Sequence, residues 1–200
     1  MDSTTQLLTL LIVVLTMVIS IIVTQFIRRR PDLYTLRDIA AFSRLPGMIG
    51  AAIESNRPVH VSLGSAGLGG ESTLLALANA EFFYQITRRA VIGATPPIIT
   101  IADPTALPLA EDTLRRAYAS RDMIDRFRQG NVRWYPGGAR SLAFVAALTV
   151  TLPADQVGAN VLAGSFGTEL ALAGEAALRR DQSLLATSDQ LEGQAIAYVM

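Results

Sequence analysis

The 200-residue chain contains no cysteine and no lysine, and its only histidine is His60. Without cysteine it can form no disulfide, iron–sulfur cluster, thiolate zinc site or cysteine nucleophile. All 17 of its basic residues are arginine, so it supplies no P-loop lysine, Schiff-base lysine or serine–lysine dyad. One histidine cannot provide a bis-histidine haem site, although a single axial ligand is not excluded. These absences favour a non-catalytic protein over an enzyme, and we expect no cofactor.

The charge balance argues against a nucleic-acid partner. Seventeen acidic residues offset the 17 basic ones, whereas nucleic-acid binders usually carry a basic excess. Half of the residues are hydrophobic, only 17% are charged, and the mean hydropathy is +0.36. This composition is typical of a membrane-associated chain.

The N-terminal region contains a charge-free run from Leu7 to Ile27. About 20 helical residues cross a hydrocarbon core of ~30 Å, so the run is long enough to span a membrane. A cleaved signal peptide would start with basic residues and end at small ones, whereas this segment starts at Asp2 and ends in Arg28, Arg29 and Arg30. Residues 1–30 are therefore predicted to be an uncleaved anchor, and residues 31–200 a separate α/β domain.

The three arginines also predict the orientation of the anchor. Because positive residues remain on the cytoplasmic side, we expect a single-pass protein of the bacterial inner membrane, its N-terminus outside and residues 31–200 in the cytoplasm. The arginines should contact anionic lipid headgroups. Small polar residues recur along the span at spacings that suit packing against another membrane helix, namely Thr9, Thr16, Ser20 and Thr24.

Short β-branched runs alternate with helical patterns after the anchor, which predicts a Rossmann-like domain with a mainly parallel sheet. We predict strands at 58–63, 97–103, 131–135, 159–163 and 182–187, and helices at 36–55, 71–92, 109–128, 139–148, 168–180 and from 189 onward. The first of these helices is expected to break at Pro46–Gly47. Core-facing positions predicted for the helix at 71–92 are Leu74, Leu77, Ala78, Phe82 and Ile86. Stabilising ion pairs predicted for the helix at 109–128 are Glu111–Arg115, Asp112–Arg116 and Asp122–Arg126.

A glycine-rich turn, defined here as residues 63–73, joins the first predicted strand of the domain to a helix. Glycines let backbone N–H groups approach an anion, and a helix start favours phosphate, so a ligand would contact Gly64, Ser65, Gly67, Gly69, Gly70 and Ser72. The P-loop pattern nevertheless has Gly70 and Glu71 where lysine and its hydroxyl neighbour belong, and the dinucleotide pattern lacks its third glycine. A tight structural turn is therefore favoured over a nucleotide site.

Other candidate residues also have structural interpretations. Asp103 ends a predicted strand, where a carboxylate can bind ribose or metal, but Asp-Pro is also a frequent turn former. A hydrolase would use Ser65 or Ser165, yet His60 precedes both serines and is expected to pack within a strand. Trp134 could anchor a partner or pack in the core. No carboxylate spacing indicates a metal site.

Three segments carry a resemblance to a known family: Phe26–Pro31, Pro58–Glu71 and Ala102–Pro108. The chain resembles an uncharacterised family of membrane-anchored proteins from filamentous green non-sulfur bacteria. This resemblance implies no activity, but it implies a setting rich in electron-transfer assemblies such as alternative complex III. The chain ends at Met200 within an apolar stretch, which suits a longer natural protein.

Two functions follow as hypotheses. The first is a non-catalytic accessory subunit of an inner-membrane assembly, such as an electron-transfer complex, with membrane lipid and other integral-membrane subunits as partners. The alternative is a membrane-tethered protein that binds a nucleotide or phosphoryl ligand at Gly64–Ser72, with Asp103 nearby.

Overall fold

The computed structural model describes residues 3–29, 39–138 and 141–200. Its helices are α1 (Ser3–Arg29), α2 (Ala40–Glu54), α3 (Thr73–Ala90), α4 (Leu107–Ala119), α5 (Leu142–Ala154), α6 (Leu170–Leu178) and α7 (Leu191–Val199). Its strands are β1 (Val59–Gly64), β2 (Ile98–Ile101), β3 (Val132–Trp134), β4 (Ala159–Ser165) and β5 (Ser183–Ser188). Backbone contacts divide the chain into two units, Met1–Ala40 and Ala41–Met200.

Helix α1 belongs to the first unit. Among the described residues it is the one helix long and apolar enough to cross a membrane, with a mean hydropathy of 2.9 over an 18-residue window. Its side chains are exposed from Thr4 to Arg29. Arg28 and Arg29 form its last turn, while Arg30 lies outside the described residues.

The second unit is built on a five-stranded parallel sheet with the order β3-β2-β1-β4-β5. Helices α2, α3 and α4 supply side chains to the core on one face, and α5 and α6 cover the other. The predicted mainly parallel α/β fold is confirmed. The chain runs from β1 through β2 to β3 at one edge, and then crosses back so that β4 and β5 lie on the other side of β1. This order is that of the doubly wound Rossmann-like folds.

Two details of the first helices differ from the sequence prediction. Helix α2 continues through Pro46, so the predicted break at that residue is wrong; the fixed φ of proline suits a helix, and buried Leu45 and Ile49 on either side pack the helix onto the core. In α3, Leu74 and Leu77 are exposed rather than core-facing. The buried face of α3 carries Ala76, Ala80, Phe83, Ile86, Thr87 and Ala90, and its three alanines allow the helix to approach the sheet closely.

Helix α4 is shorter than predicted, and its ion pairs change accordingly. The Asp112–Arg116 pair forms at 3.2 Å, but Arg115 also contacts Asp112, at 2.8 Å, rather than Glu111. The predicted Asp122–Arg126 pair is wrong because the helix ends at Ala119, before Asp122. Arg126 instead donates to backbone carbonyls that follow α3.

Candidate functional site

The turns that follow β1 and β4 lie side by side at the carboxyl edge of the sheet. This is the topological switch point, where doubly wound folds bind ligands. The Ser65 N–H donates to the Ser165 carbonyl at 3.0 Å. A Cβ on Gly64 would lie 2.4 Å from the same carbonyl oxygen, and one on Gly164 would lie 1.9 Å from the oxygen of Leu63. Both glycines are therefore required by this close backbone approach.

Hydroxyl side chains accept hydrogen bonds from three N–H groups of the glycine-rich turn, which are among the groups that a phosphate could use. Their distances lie between 2.8 and 3.0 Å. The pairs are Gly67 with Ser72, Leu68 with Thr105, and Gly69 with Thr73. A phosphate could bind these groups only by displacing the hydroxyls, so the geometry favours a self-contained structural turn.

Asp103 supports the same turn from the end of β2. Its Oδ1 accepts hydrogen bonds from the Thr105 backbone at 2.8 Å and from the Thr105 hydroxyl at 2.7 Å. These bonds fix the Thr105 hydroxyl, which accepts the Leu68 N–H. The carboxylate also lies close to Gly67, where a Cβ would be 2.2 Å from Asp103 Oδ2. The turn-forming role expected for Asp103 is present. Gly70 is exposed and has open space around its Cα.

The turn after β4 is different because it borders an open cavity of about 360 Å³. The residues that line it are Ser141, Gly167, Thr168, Glu169, Gln190 and Glu192. Glu169 is 5% exposed, and its Oε1 accepts the Gly167 N–H at 2.8 Å. The Gln190 side chain is fixed by a hydrogen bond from its Nε2 to the Ser165 hydroxyl, at 2.8 Å. A carboxylate thus fills the anion position at the start of α6, which disfavours phosphate there.

A row of polar side chains crosses the sheet beneath α5. His60 Nδ1 lies 3.0 Å from Asn160 Oδ1, His60 Nε2 lies 2.8 Å from the Thr100 hydroxyl, and the Asn160 amide donates to Gln182 at 2.8 Å. Because the amide nitrogen of Asn160 is used in this way, its oxygen faces the ring, and Nδ1 carries the imidazole proton. The expectation that His60 packs within a strand is confirmed.

His60 is neutral in this environment. Burial lowers its pKa from 6.5 to about 4; the Asn160 hydrogen bond opposes that shift, and the Arg133 guanidinium adds to it. Arg133 is itself paired with Asp155 through two hydrogen bonds, one of them 3.2 Å long. A buried histidine with both nitrogens engaged has neither the exposure nor the free nitrogen that a general base needs.

The four small polar residues of α1 share one side of the helix. At 100° per residue, Thr9, Thr16, Ser20 and Thr24 fall within an arc of about 80°. Each hydroxyl donates to the carbonyl four residues earlier. Their hydrogen-bonding capacity is thus largely satisfied within the helix, and the face presents small side chains. A shallow groove on this side is lined in part by Ser20, Thr24 and Arg28.

Trp134 ends β3 and is 47% exposed. Its indole N–H donates to the Ala102 carbonyl at 3.1 Å, so one edge of the ring is fixed while the other meets solvent. The side chain is neither a core residue nor a free anchor.

One family model matches residues 3–192, and it describes a domain of unknown function, DUF6754. The chain belongs to the DUF6754 family. The match includes α1 as well as the α/β unit, so both are parts of the family's domain. No curated protein and no solved structure matches the chain. The resemblance to an uncharacterised family is confirmed at this level.

Glu169 and Gln190 are the site residues that sequence reasoning missed. Each follows a strand by a few residues, at the carboxyl edge where ligands bind in this fold class. This position after a strand is the feature of the sequence that could have identified them. Among the described residues, no group of three or more His, Cys, Asp or Glu side chains could hold a metal ion.

Proposed function

We propose that this protein is a single-pass, non-catalytic accessory subunit of a multi-subunit inner-membrane assembly, such as an electron-transfer complex of filamentous green non-sulfur bacteria. In this proposal α1 binds another membrane helix, and the α/β domain lies in the cytoplasm on its partner. The observation that carries the proposal is the small-residue face of α1, with its satisfied hydroxyls and shallow groove. Small residues allow close backbone approach between membrane helices.

Three further observations support it. The family match includes α1, so the helix is a shared part of the family's domain. Hydroxyls of Ser72, Thr73 and Thr105 occupy three N–H groups of the glycine-rich turn that a phosphoryl ligand could use. Arg28 and Arg29 at the end of α1 place positive charge where anionic lipid headgroups and the positive-inside rule favour it.

The test is native electrophoresis of membranes solubilised in mild detergent, with mass spectrometry of the proteins that migrate with this chain. We expect stoichiometric migration with larger integral-membrane subunits. A variant with leucine at Thr9, Thr16, Ser20 and Thr24 should still insert but should leave the complex. Migration alone, or unchanged migration of the variant, would contradict the proposal.

The matched control changes the opposite face of α1. Val14→Leu, Val18→Leu and Ile22→Leu alter side-chain shape about half a turn away from the small-residue face. This variant should remain in the complex. Loss of both variants from the complex would indicate general disruption of the helix rather than loss of a specific packing face.

The alternative function is nucleotide or phosphoryl-ligand binding at Gly64–Ser72, and one observation favours it: the turn lies at the switch point of a doubly wound sheet. If the protein migrates alone, a nucleotide panel tests this function. Gly69 has a φ of +93°, so Gly69→Val should distort the turn and abolish such binding. Gly130→Val serves as the control, because Gly130 lies outside the turn and a Cβ there meets nothing within 4 Å.

A further inference from the structure

The polar row beneath α5 ends at a cavity on the amino edge of the sheet, the edge opposite the glycine-rich turn. The cavity has a volume of about 200 Å³ and lies where the chain enters β1, β4 and β5. None of the residues around it is acidic, and two are arginines. The residues that line it are Arg57, Pro153, Gln156, Val157, Arg180 and Gln182.

The hydrogen bonds of the polar row all run towards this cavity. With the proton on His60 Nδ1, the Thr100 hydroxyl donates to His60 Nε2, and His60 donates to Asn160 Oδ1. Asn160 in turn donates to Gln182 Oε1. The Gln182 amide is therefore the last member of the row, and its Nε2 is the donor at the end. Hydrogen bonds aligned in one direction polarise one another, which strengthens this final donor.

Gln182 presents its nitrogen to the cavity. The residue is 7% exposed, and its Nε2 donates to no acceptor among the described residues. In the described part of the chain, the side-chain nitrogens that are both sealed from solvent and without a partner belong to Asn79 and Asn131. The Gln182 nitrogen is thus reached from the cavity that its side chain lines. An almost buried donor of this kind is stabilised when an acceptor reaches it.

Arg57 and Arg180 supply positive charge that no described side chain neutralises. Neither arginine forms an ion pair or a side-chain hydrogen bond with another described residue. The first part of the Arg57 side chain packs on Gly158, where a Cβ would lie 2.8 Å from Arg57 Cβ and 3.3 Å from Arg57 Cδ. This contact holds Arg57 beside the start of β4. Both guanidinium groups are therefore available to a ligand in the cavity.

Helices α2, α5 and α6 end at the same edge, where their terminal carbonyls would oppose an anion. N–H groups of the following turns already occupy three of these carbonyls at 2.9 to 3.1 Å. Asp155, directly after α5, is paired with Arg133. The two unpaired arginines therefore determine the sign of the charge at the cavity. The N–H and carbonyl pairs are Arg57 with Ala52, Val157 with Leu152, and Gln182 with Ala177.

We propose that this cavity binds a phosphate group, either as inorganic phosphate or as part of a phosphorylated small molecule. Arg57 and Arg180 balance its charge, and Gln182 Nε2 donates to one of its oxygens. A tetrahedral phosphate directs oxygens towards donors from several turns, whereas a carboxylate has two oxygens in one plane. Guanidinium groups match phosphate in both charge and geometry. The site is independent of membership in a membrane complex and of ligand binding at Gly64–Ser72.

The experiment is equilibrium dialysis of the full-length protein in a nonionic detergent at pH 7, with radiolabelled inorganic phosphate as the probe. The competitors, at matched ionic strength, are acetate, glycerol phosphate and glycerol. We expect saturable phosphate binding that weakens as sodium chloride is added, with no competition from acetate or glycerol. Competition by glycerol phosphate would support a site for phosphorylated small molecules, and its absence would support a site for free phosphate.

Arg57→Gln and Arg180→Gln should each weaken phosphate binding roughly five- to tenfold, because each removes a charge-assisted hydrogen bond. Both side chains are exposed, so the variants should fold. The matched control is Arg88→Gln, which removes the same charge from an exposed arginine in the last turn of α3 and should leave binding unchanged.

Gln182→Glu tests the end of the polar row. The glutamate keeps an oxygen for the Asn160 amide but replaces the donor by a carboxylate, so phosphate binding should be lost. If this variant fails to fold, the two arginine variants still decide the question.

Absence of saturable phosphate binding would overturn the proposal. Unchanged affinity in the Arg57→Gln, Arg180→Gln double variant, or retained binding by a folded Gln182→Glu variant, would also overturn it. A loss in Arg88→Gln as large as that in the double variant would show that binding follows net charge instead of the cavity. Competition by acetate as strong as that by unlabelled phosphate would contradict the selection of a phosphate group.

Discussion

The single histidine makes the pH dependence of stability a direct test of the polar row beneath α5. Lowering the pH from 7 to 5 should destabilise the domain, because the pKa of His60 is about 4 when folded, compared with 6.5 for the exposed side chain. The unfolded chain therefore binds a proton in this range that the folded chain does not. The contribution of His60 is fully present above pH 6.5 and is lost as the pH falls towards 4.

The shift corresponds to roughly 3 kcal/mol when complete, at 1.36 kcal/mol for each pKa unit. At pH 5 the expected loss is about 2 kcal/mol, because the unfolded histidine is then almost fully protonated while the folded one is not. Few other groups titrate between pH 5 and 7, since Asp and Glu ordinarily titrate below that range. Most of the change should therefore come from one residue.

The assay is urea unfolding of the full-length protein in detergent at several pH values, followed by the fluorescence of Trp134, the only tryptophan. Trp134 is a suitable reporter because its indole is bonded to the Ala102 carbonyl at the end of β2. His60→Gln should remove most of the pH dependence between 7 and 5. Equal slopes for the variant and the unsubstituted protein would refute the assignment of a buried, neutral His60.

Three further predictions concern stability, each measured by the same unfolding assay at pH 7. Gly164→Ala should destabilise by more than about 2 kcal/mol, since its Cβ would lie 1.9 Å from a carbonyl oxygen of β1; a mild effect would mean that the two turns are farther apart. Leu74→Gln should change stability by less than about 0.5 kcal/mol, while Ile86→Ala should cost roughly 2–5 kcal/mol; a cost for Leu74→Gln as large as that for Ile86→Ala would restore the face predicted from periodicity, which includes both residues. Asp155→Ala should cost about 1 kcal/mol or somewhat more by leaving the half-buried Arg133 unpaired, and a stabilising effect would contradict this pairing.

Local sequence patterns were sufficient to predict the strands. Every predicted strand overlaps an observed strand. The central strands β1, β2 and β4 are buried at every position, and short runs rich in apolar residues are typical of a parallel sheet covered on both faces. Helix α3 shows the limit of this reasoning. Its apolar residues occur on more than one side, so periodicity alone did not distinguish the alanine face, which the sheet buries, from exposed Leu74 and Leu77.

The candidate site was predictable only in position. The turn at Gly64 is visible in the sequence because glycines precede a helix, and its P-loop and dinucleotide patterns fail there. The hydroxyl of Thr105, which occupies the Leu68 N–H, comes from another crossover 37 residues away. Glu169 and Gln190, which line the same cavity, likewise come from two different turns, so no local motif contains both.

The sequence by itself determined the charge-free helix, its basic end, the alternation of strands and helices, and the chemistry that the absence of cysteine and lysine excludes. These properties depend on composition and on residues close together in the chain. Tertiary structure alone decided the partners of His60, the close contact of the β1 and β4 turns, and the placement of Glu169 and Gln190 beside the same cavity. His60 and Asn160 are 100 residues apart, and only the parallel pairing of β1 with β4 brings them within hydrogen-bond distance.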